Sequence, residues 1–250
     1  MRLSVIVITR NEARRLPACL ASVAFADEIV VVDNGSSDGT PELARALGAK
    51  VVETPDWPGF GPQKNRALDQ ATGDWVLSLD ADEQLTPELG QAIVQAMARG
   101  DCAAYGFNRR SRYCGQWIHH SGWYPDRIVR LFRRGSARFS DDLVHEALRT
   151  QGPVGHLAGD LLHESIDDFE GVLDKVNRYS TASAQALAAR GVRGSVGKAV
   201  RHGVWAFVRT YVVRRGFLDG QMGLALAVSN AQGTYYRYLK LWLLQRGDKP

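Results

Sequence analysis

The first hundred residues alternate short, β-branched apolar runs with segments of helical character, a pattern that few folds accommodate. The apolar runs are Leu3–Thr9, Glu28–Asp33, Lys50–Glu53 and Trp75–Leu79. The predicted helices are Arg14–Val23, one opened by Thr40-Pro41-Glu42-Leu43, Gln63–Ala71, and one opened by Thr86-Pro87-Glu88-Leu89. In both openings Thr is predicted to cap the helix and Pro to take its first position. Strands that alternate with helices predict an α/β fold with a mostly parallel, helix-covered sheet.

The remainder of the chain has a different pattern. Short β-like pieces lie among irregular segments up to about residue 165; they are Ala103–Arg110, Ile128–Phe132 and Leu143–Leu148. After Asp167 the apolar residues recur at helical spacing to the end of the chain. We therefore divide the sequence into residues 1–165, with halves 1–100 and 101–165, and a helical region 166–250.

Charge is distributed unevenly along the 250 residues. The net charge is +4, but residues 191–250 carry +8 and the first 190 residues carry −4. A basic C-terminal region favours a polyanionic partner, which could be nucleic acid, anionic lipid or a phosphorylated glycolipid. Nucleic acid is the weakest of these because no nucleic-acid-binding motif is present, and we expect none as a partner.

Three cysteines without metal-ligand spacing favour a reducing compartment. The sequence also offers neither a signal peptide nor a run of roughly 18 apolar residues. A cytoplasmic location is the expectation.

Carboxylates follow two of the predicted strands. Asp33 ends the second apolar run, and Asp80-Ala81-Asp82 follows the fourth. In an open α/β sheet, both could line a crevice at the carboxyl ends of the strands. Asp80, Asp82 and Glu83 form an acidic cluster whose repulsion a hard cation would relieve. Mg²⁺ or Mn²⁺ suits such oxygen ligands, with Asp82 as the predicted ligand, whereas the alternative roles of Asp33 and Asp82 are turn formation and capping.

Three motifs in order resemble the opening of a family 2 glycosyltransferase. They are Ser4-Val5-Ile6-Val7-Ile8-Thr9-Arg10-Asn11-Glu12, Val31-Val32-Asp33-Asn34-Gly35-Ser36-Ser37-Asp38-Gly39-Thr40 and Leu79-Asp80-Ala81-Asp82-Glu83. The resemblance implies a GT-A fold, with a Rossmann-like nucleotide-sugar half (1–100), an acceptor half (101–165) and here a helical appendage. It also implies inverting transfer from a UDP-sugar, with a divalent metal at Asp82. The nucleotide-sugar contacts that it implies are Thr9, Arg10, Glu12, Asp33, Lys64, Arg66 and Asp80.

The middle of the chain resembles a bacterial subgroup of that family. The matching segments are Gly115-Gln116-Trp117, Gly122-Trp123-Tyr124-Pro125-Asp126-Arg127, Arg130-Leu131-Phe132-Arg133-Arg134 and Val144-His145-Glu146. This subgroup adds glucose or a similar hexose to an inner-core sugar of lipopolysaccharide. The resemblance implies that the general base lies in this half, where Glu146 is our candidate, with Asp141 and Asp142 as substitutes.

Four further residues are candidates with two possible roles each. His163 is predicted to open the helical region and is either a metal ligand or structural. Asp126, Arg127 and Arg130 either bind an anionic acceptor through arginine forks or form structural ion pairs.

The basic C-terminal region interleaves arginines with aromatic residues, which predicts contact with an anionic membrane surface, here the cytoplasmic face of the inner membrane. The alternative is that its apolar stripes only pack against the rest of the protein. Two other functions stay open. One is a non-catalytic sugar-nucleotide-binding or membrane scaffold. The other is an Asp-based phosphohydrolase, although Gln84 stands where such enzymes usually carry Thr or Val.

Overall fold

A computed structural model describes residues 1–140 and 147–247. Its strands are β1 (Leu3–Thr9), β2 (Glu28–Asp33), β3 (Lys50–Glu53), β4 (Trp75–Asp80), β5 (Glu83–Leu85), β6 (Ala104–Tyr113), β7 (Gln116–Trp117), β8 (Asp126–Arg133), β9 (Ala137–Phe139), β10 (Leu148–Thr150) and β11 (Val154–Ile166). Its helices are α1 (Leu16–Ala21), α2 (Thr40–Ala46), α3 (Phe60–Gln70), α4 (Pro87–Arg99), α5 (Phe169–Ala189), α6 (Val196–Val208) and α7 (Gly220–Arg246). A π-helical turn (Arg209–Val213) and a 3₁₀ turn (Gly216–Asp219) separate α6 from α7.

The chain divides into two compact units. The first comprises Met1–Arg109 and Asp126–His163, and the second comprises Arg110–Pro125 and Glu164–Pro250. This division differs from the predicted one at residues 110–125, which group with the C-terminal helices. The buried carboxylate of Asp219 explains the grouping, because it accepts hydrogen bonds from the backbone N–H groups of His119 (2.9 Å) and His120 (3.0 Å).

The predicted alternation of strands and helices is confirmed, and the fold is α/β. The main sheet has the order β3-β2-β1-β4-β8-β6-β11-β5, with β7 paired to β6. Strands β1 to β4 are parallel, whereas β8 runs antiparallel to β4 and to β6, and β5 runs antiparallel to β11. Strands β1, β2 and β4 are buried on both faces, as their apolar runs require, whereas the edge strand β3 is partly exposed.

Successive residues of β1 point to opposite faces of the sheet and enter two different cores. Val5 and Val7 belong to a cluster with residues of α1 and α4, whereas Ile6 belongs to a cluster with residues of α3. The first unit is therefore a sheet with helices on both faces.

The two predicted helix caps have different outcomes. Thr86 caps α4 as predicted, because its Oγ1 accepts a hydrogen bond from the backbone N–H of Leu89 at 3.4 Å. The prediction for Thr40 is wrong, since Gly39 precedes the helix in the left-handed region (φ 84°) and Thr40 is itself helical. Its hydroxyl instead donates to Asp38 (2.5 Å) and accepts from the Glu12 N–H (2.9 Å), which ties the β1–α1 loop to the start of α2.

The second unit contains the helical C-terminal region. Helix α7, of 27 residues, packs against both α5 and α6. Gly203 permits the close approach of α6 to α7. A Cβ at this position would lie 3.2 Å from the Tyr235 Cβ and 3.3 Å from the Ala231 carbonyl oxygen, both on α7. Of the helices that the structure describes, none combines the length and apolar character needed to cross a bilayer.

Candidate active site

Three adjacent strands of the first unit bring polar side chains to one edge of the sheet. Strand β1 lies between β2 and β4, and its register pairs Thr9 with Asp33 and Ile8 with Asp80. Parallel strands end at the same edge, so Thr9, Asp33 and Asp80 meet there, as the sequence predicted.

Asp33 is fully buried and serves as a hydrogen-bond acceptor for both neighbouring segments. Its carboxylate accepts from the Thr9 hydroxyl at 2.8 Å and from the Ser36 backbone N–H and hydroxyl at 2.8 and 2.5 Å. These bonds fix the turn after β2. The turn-forming role of Asp33 is thus visible directly, and any nucleotide contact would add to it.

Asp80 lies between two cations. The Lys64 Nζ is 2.9 Å from Oδ1, and the Arg130 Nη2 is 2.6 Å from Oδ2. Lys64 is only 3% exposed, so α3 delivers its ammonium group into the interior rather than to a solvated helix face. Burial disfavours ionisation of Asp80, but Arg130 and Lys64 outweigh it and hold the pKa of this carboxyl well below its usual range. Asp80 is therefore an oriented carboxylate that stays ionised at neutral pH.

Glu83 extends these pairs into a network of alternating charge. Its fully buried carboxylate lies 3.2 Å from the Arg130 Nη2 and 3.6 Å from the Arg109 Nη1, and Arg109 in turn pairs with Asp126 at 2.8 Å. Burial raises the pKa of Glu83, while Arg130 opposes the shift. The complete network, from α3 across the sheet, consists of Lys64, Asp80, Arg130, Glu83, Arg109 and Asp126.

Asp82 and His163 form a second pair at this site. Their Oδ2 and Nε2 atoms are 3.3 Å apart, and both side chains are partly exposed. The antiparallel pairing of β5 with β11 brings them together, because it sets His163 directly opposite Glu83. The prediction that His163 opens a helical region is wrong, since it lies within the 13-residue strand β11. Its position in β11 nevertheless places its imidazole beside Asp82, so the metal-ligand role stays a prediction.

The donor set at this pair fits a divalent cation that retains other ligands. One carboxylate oxygen and one imidazole nitrogen converge there; the oxygen suits either Mg²⁺ or Mn²⁺, and the imidazole favours the transition metal Mn²⁺ over Mg²⁺. Among residues 1–140 and 147–247, no group of three or more His, Cys, Asp or Glu side chains could enclose a metal. A metal held here would therefore complete its coordination with water or with substrate phosphate oxygens, as Mg²⁺ commonly does.

Glu12 belongs to the same edge of the sheet. It follows β1 and pairs with Arg15 at 3.5 Å. Burial raises the pKa of Glu12, Arg15 opposes the shift, and the negative charge of Asp82 adds to it. A cation near Asp82 would therefore also relieve the repulsion at Glu12. Arg10, two residues earlier, is exposed.

The other predicted residues have varied positions. Arg66 pairs with Asp56 at 2.7 Å on the surface, and Arg127 is exposed on β8. Arg130 is buried in the charge network, so its guanidinium holds Asp80 and Glu83 and is not presented on the surface. Asp126 forms the structural ion pair that was the alternative to acceptor binding. Glu146, like Asp141, Asp142 and His145, lies outside the described residues.

Sequence reasoning missed the roles of Glu83 and Arg109. Glu83 was noticed only as one of three crowded acids, and Arg109 was not singled out. One signal in the sequence could have indicated this role. Glu83 directly follows Asp82 at the end of a predicted buried strand, and a carboxylate buried there would require a cation as partner.

The parallel β1–β4 core, with acids at its strand ends, defines a nucleotide-binding α/β domain of the GT-A type. The family model "Glycosyl transferase family 2" matches residues 4–151, and the chain belongs to this glycosyltransferase family.

Two of the relatives with 30% identity are named glycosyltransferases. An uncharacterized glycosyltransferase of Rickettsia typhi matches over 96% of this chain and 86% of its own length. The lipopolysaccharide core biosynthesis glycosyltransferase LpsC of Rhizobium meliloti matches over 94% of this chain and 93% of its own length. The crystal structure of residues 1–349 of TarS from S. aureus covers all of this chain and 92% of its own, with a TM-score of 0.51 and 16% identity, which is a similarity of fold.

Proposed function

We propose that this glycosyltransferase transfers a hexose, with inversion, from a UDP-sugar to an inner-core sugar of lipopolysaccharide or a related lipid-linked glycan. The donor we favour is UDP-glucose. The observation that carries the proposal is the convergence of Asp33, Asp80 and the Asp82–His163 pair at one sheet edge. The acceptor class is supported by the name of the Rhizobium relative, which matches nearly the whole chain.

The proposed division of roles follows from the contacts. Asp33 would hold the uracil or ribose, with Thr9, Arg10 and Glu12 beside it. Lys64 and Arg130 fix Asp80, which would approach the ribose or the sugar. Asp82 and His163 would hold Mg²⁺ or Mn²⁺, which supplies positive charge to a departing diphosphate. Arg66 would lie on the diphosphate side, and the exposed Arg127 would face the acceptor.

The transfer needs one group to accept the proton of the attacking acceptor hydroxyl. Glu146 is the proposed base. Its neighbours in the described chain, Ser140 and Ala147, are paired by a hydrogen bond from the Ser140 N–H to the Ala147 carbonyl oxygen at 2.9 Å. The Glu146→Gln variant should bind donor normally and lose transfer, whereas the control Glu88→Gln, at an exposed position on α4, should both bind donor and transfer sugar as the wild type does. Normal transfer by Glu146→Gln would place the base elsewhere.

The second unit supports the proposed contact with a membrane surface. Val196, Val200 and Val204 recur every four residues along α6 and are 42%, 49% and 60% exposed, and Trp205 is 55% exposed. Further exposed apolar residues follow after α6, namely Val212, Val213, Phe217 and Leu218. Basic residues lie between them: Arg201, Arg209, Arg214 and Arg215. Exposed apolar side chains interleaved with arginine suit an anionic bilayer interface.

The test is calorimetric titration of a panel of nucleotide sugars with Mg²⁺ or Mn²⁺. We expect metal-dependent binding of one UDP-sugar, loss of that binding in Asp82→Ala, and full binding in the control Asp174→Asn, an exposed acid on α5. Equal binding by Asp82→Ala in the presence of chelator would refute the metal role. Binding of a nucleotide sugar without transfer would favour the non-catalytic scaffold, and failure of every nucleotide sugar to bind would refute both the proposed function and a sugar-nucleotide-binding scaffold. The phosphohydrolase alternative is disfavoured by membership in a glycosyltransferase family.

A further inference from the structure

The second unit contains a cavity between α5 and α7 whose lining includes none of the residues of the candidate active site. Its volume is about 320 Å³, within the range of small-molecule sites. The two helices line it with residues at helical spacing: Val172, Val176 and Tyr179 from α5, and Leu226, Gly233 and Arg237 from α7. Its lining is mainly apolar, and we call it the apolar cavity.

A second cavity shares a wall with the first. It has a volume of about 360 Å³, and the residues Asn230, Thr234 and Arg237 line both. The remaining wall comes from α6 and the π-helical turn, which contribute His202 and Arg209. We call it the basic cavity. π-helical turns occur often at functional sites, and this one places a second arginine opposite α7.

The basic cavity has positive charge without a compensating acid. None of the described residues that line either cavity carries a carboxylate, and α6 and α7 contain neither Asp nor Glu. The Nε of Arg237 is buried and has no hydrogen-bond partner among the described residues. Burial and the charges of Arg201, Lys198 and Arg237 lower the pKa of His202, as expected where cations crowd together. A buried guanidinium donor without an acceptor favours an anionic ligand.

An apolar cavity next to a basic cavity fits a molecule that has an apolar chain and an anionic head group. We propose that the two cavities form a single binding site for a phosphate-bearing acyl lipid, with the chain between α5 and α7 and the phosphate beside Arg237 and Arg209. The apolar chain would fill space that the facing helices leave open, and the phosphate would pair with the guanidinium groups of Arg237 and Arg209, which line the basic cavity. The site lies within the helical unit and does not depend on the identity of the donor or acceptor.

The glycine at position 233 allows a sharp test of the chain-binding part. A Cβ there would meet the Val176 methyl groups at 3.8 and 3.9 Å, which is ordinary contact, so a larger side chain has room to enter the cavity. Leucine also favours helix more than glycine does. Gly233→Leu should therefore fold normally while filling the apolar cavity.

The experiment is calorimetric titration of the full-length protein with dodecyl phosphate below its critical micelle concentration. We expect saturable binding that weakens about tenfold or more in Arg237→Gln, because a charge-assisted hydrogen bond is lost, and likewise in Gly233→Leu. The control Arg99→Gln, an exposed arginine on α4, should bind as the wild type does.

The proposal would be overturned by the absence of saturable binding or by equal binding of dodecyl phosphate to the wild type and Gly233→Leu. It would also be overturned if inorganic phosphate, or dodecyl maltoside, bound as tightly as dodecyl phosphate. Lysophosphatidylglycerol identifies the source of the lipid. Tighter binding of this diester supports a membrane phospholipid, and tighter binding of dodecyl phosphate supports a phosphomonoester lipid. Donor binding by the first unit is measured separately, so failure here leaves the proposed function untouched.

Discussion

Several residues of the candidate site are held in place by buried ion pairs. Arg130 holds both Asp80 and Glu83, and Glu83 has no exposed surface. Loss of one member of a buried charge network leaves its partners unpaired, which is more costly than the net contribution of the network itself.

Replacement of Arg130 should therefore destabilise the protein strongly. We expect Arg130→Met to lower the free energy of unfolding by about 3 kcal/mol, because Glu83 would keep its hydrogen bond from the Asp80 N–H but lose its 3.2 Å ion pair, leaving the longer 3.6 Å contact with Arg109. Arg127→Met, on the same strand but exposed, should change it by less than about 0.5 kcal/mol. Urea titration measures both. Similar effects of the two substitutions would contradict a structural role for the network.

The depressed pKa of Asp80 predicts a specific acid sensitivity. A carboxyl group whose pKa is lower in the folded state stabilises the fold above its unfolded pKa of about 3.9 and loses that contribution as the pH falls further. Below pH 4, the wild type should lose up to about 1.4 kcal/mol per pH unit more than Asp80→Asn does. Unfolding curves between pH 5 and 2.5 measure the slopes. Parallel slopes would show that Asp80 is not held ionised by Lys64 and Arg130.

The sequence predicted the acids of the site better than their partners. Asp33, Asp80 and Asp82 stand where apolar runs end, and that local pattern is visible in one sequence. Arg130 lies 50 residues from Asp80 and 47 from Glu83 along the chain, so only the tertiary fold reveals those pairs.

At the scale of elements, β11 illustrates how close packing determines local backbone shape. Gly159 lies in this strand with a φ of 94°, in the left-handed region, and a Cβ there would be 2.6 Å from the backbone nitrogen of Leu89 on α4. Only glycine satisfies both requirements at this position.

Gly159→Ala should lower the free energy of unfolding by about 3 kcal/mol, from left-handed strain together with the clash against α4. Gly135→Ala is the matched control, because Gly135 has a φ of 87° but no atom within 4 Å of its Cβ position. We expect a loss of about 1 kcal/mol there from strain alone. Thermal or urea unfolding of both variants measures the difference, which would vanish if the contact with Leu89 were unimportant.

The same strand shows why elements in the middle of the chain were harder to predict. Leu3–Thr9 and Glu28–Asp33 are continuous apolar runs, and the structure gives them the predicted bounds. Strand β11 mixes histidine, glycine and acids, and β5 has only three residues, so neither has a clear period. Their pairing with each other, which positions His163, follows from tertiary structure.

At the scale of the whole molecule, the uneven charge should govern attraction to anionic surfaces. If the exposed apolar and basic residues of α6 contact a bilayer, vesicles containing phosphatidylglycerol should bind the protein more tightly than phosphatidylcholine vesicles. Arg201→Glu should weaken that binding about tenfold or more, since each arginine near such a surface contributes about 1 kcal/mol.

Vesicle sedimentation at several salt concentrations measures this effect. The control is Arg99→Glu, which changes an exposed residue of α4 in the first unit. Equal losses in the two variants would indicate attraction by net charge alone. Binding that is insensitive to both substitutions would argue against the proposed surface.

Helices α6 and α7 hold their charge on groups that do not respond to ordinary acidity. Their cations are lysine and arginine, and they contain no carboxylate. His202, in α6, has a lowered pKa and so remains neutral over a wider range than an isolated imidazole would. From mildly acidic to distinctly alkaline conditions, the pull of these helices on a polyanion such as heparin should stay constant. The affinity of these helices for an anionic surface would then depend on the salt concentration and on the lipid headgroups present, rather than on the pH.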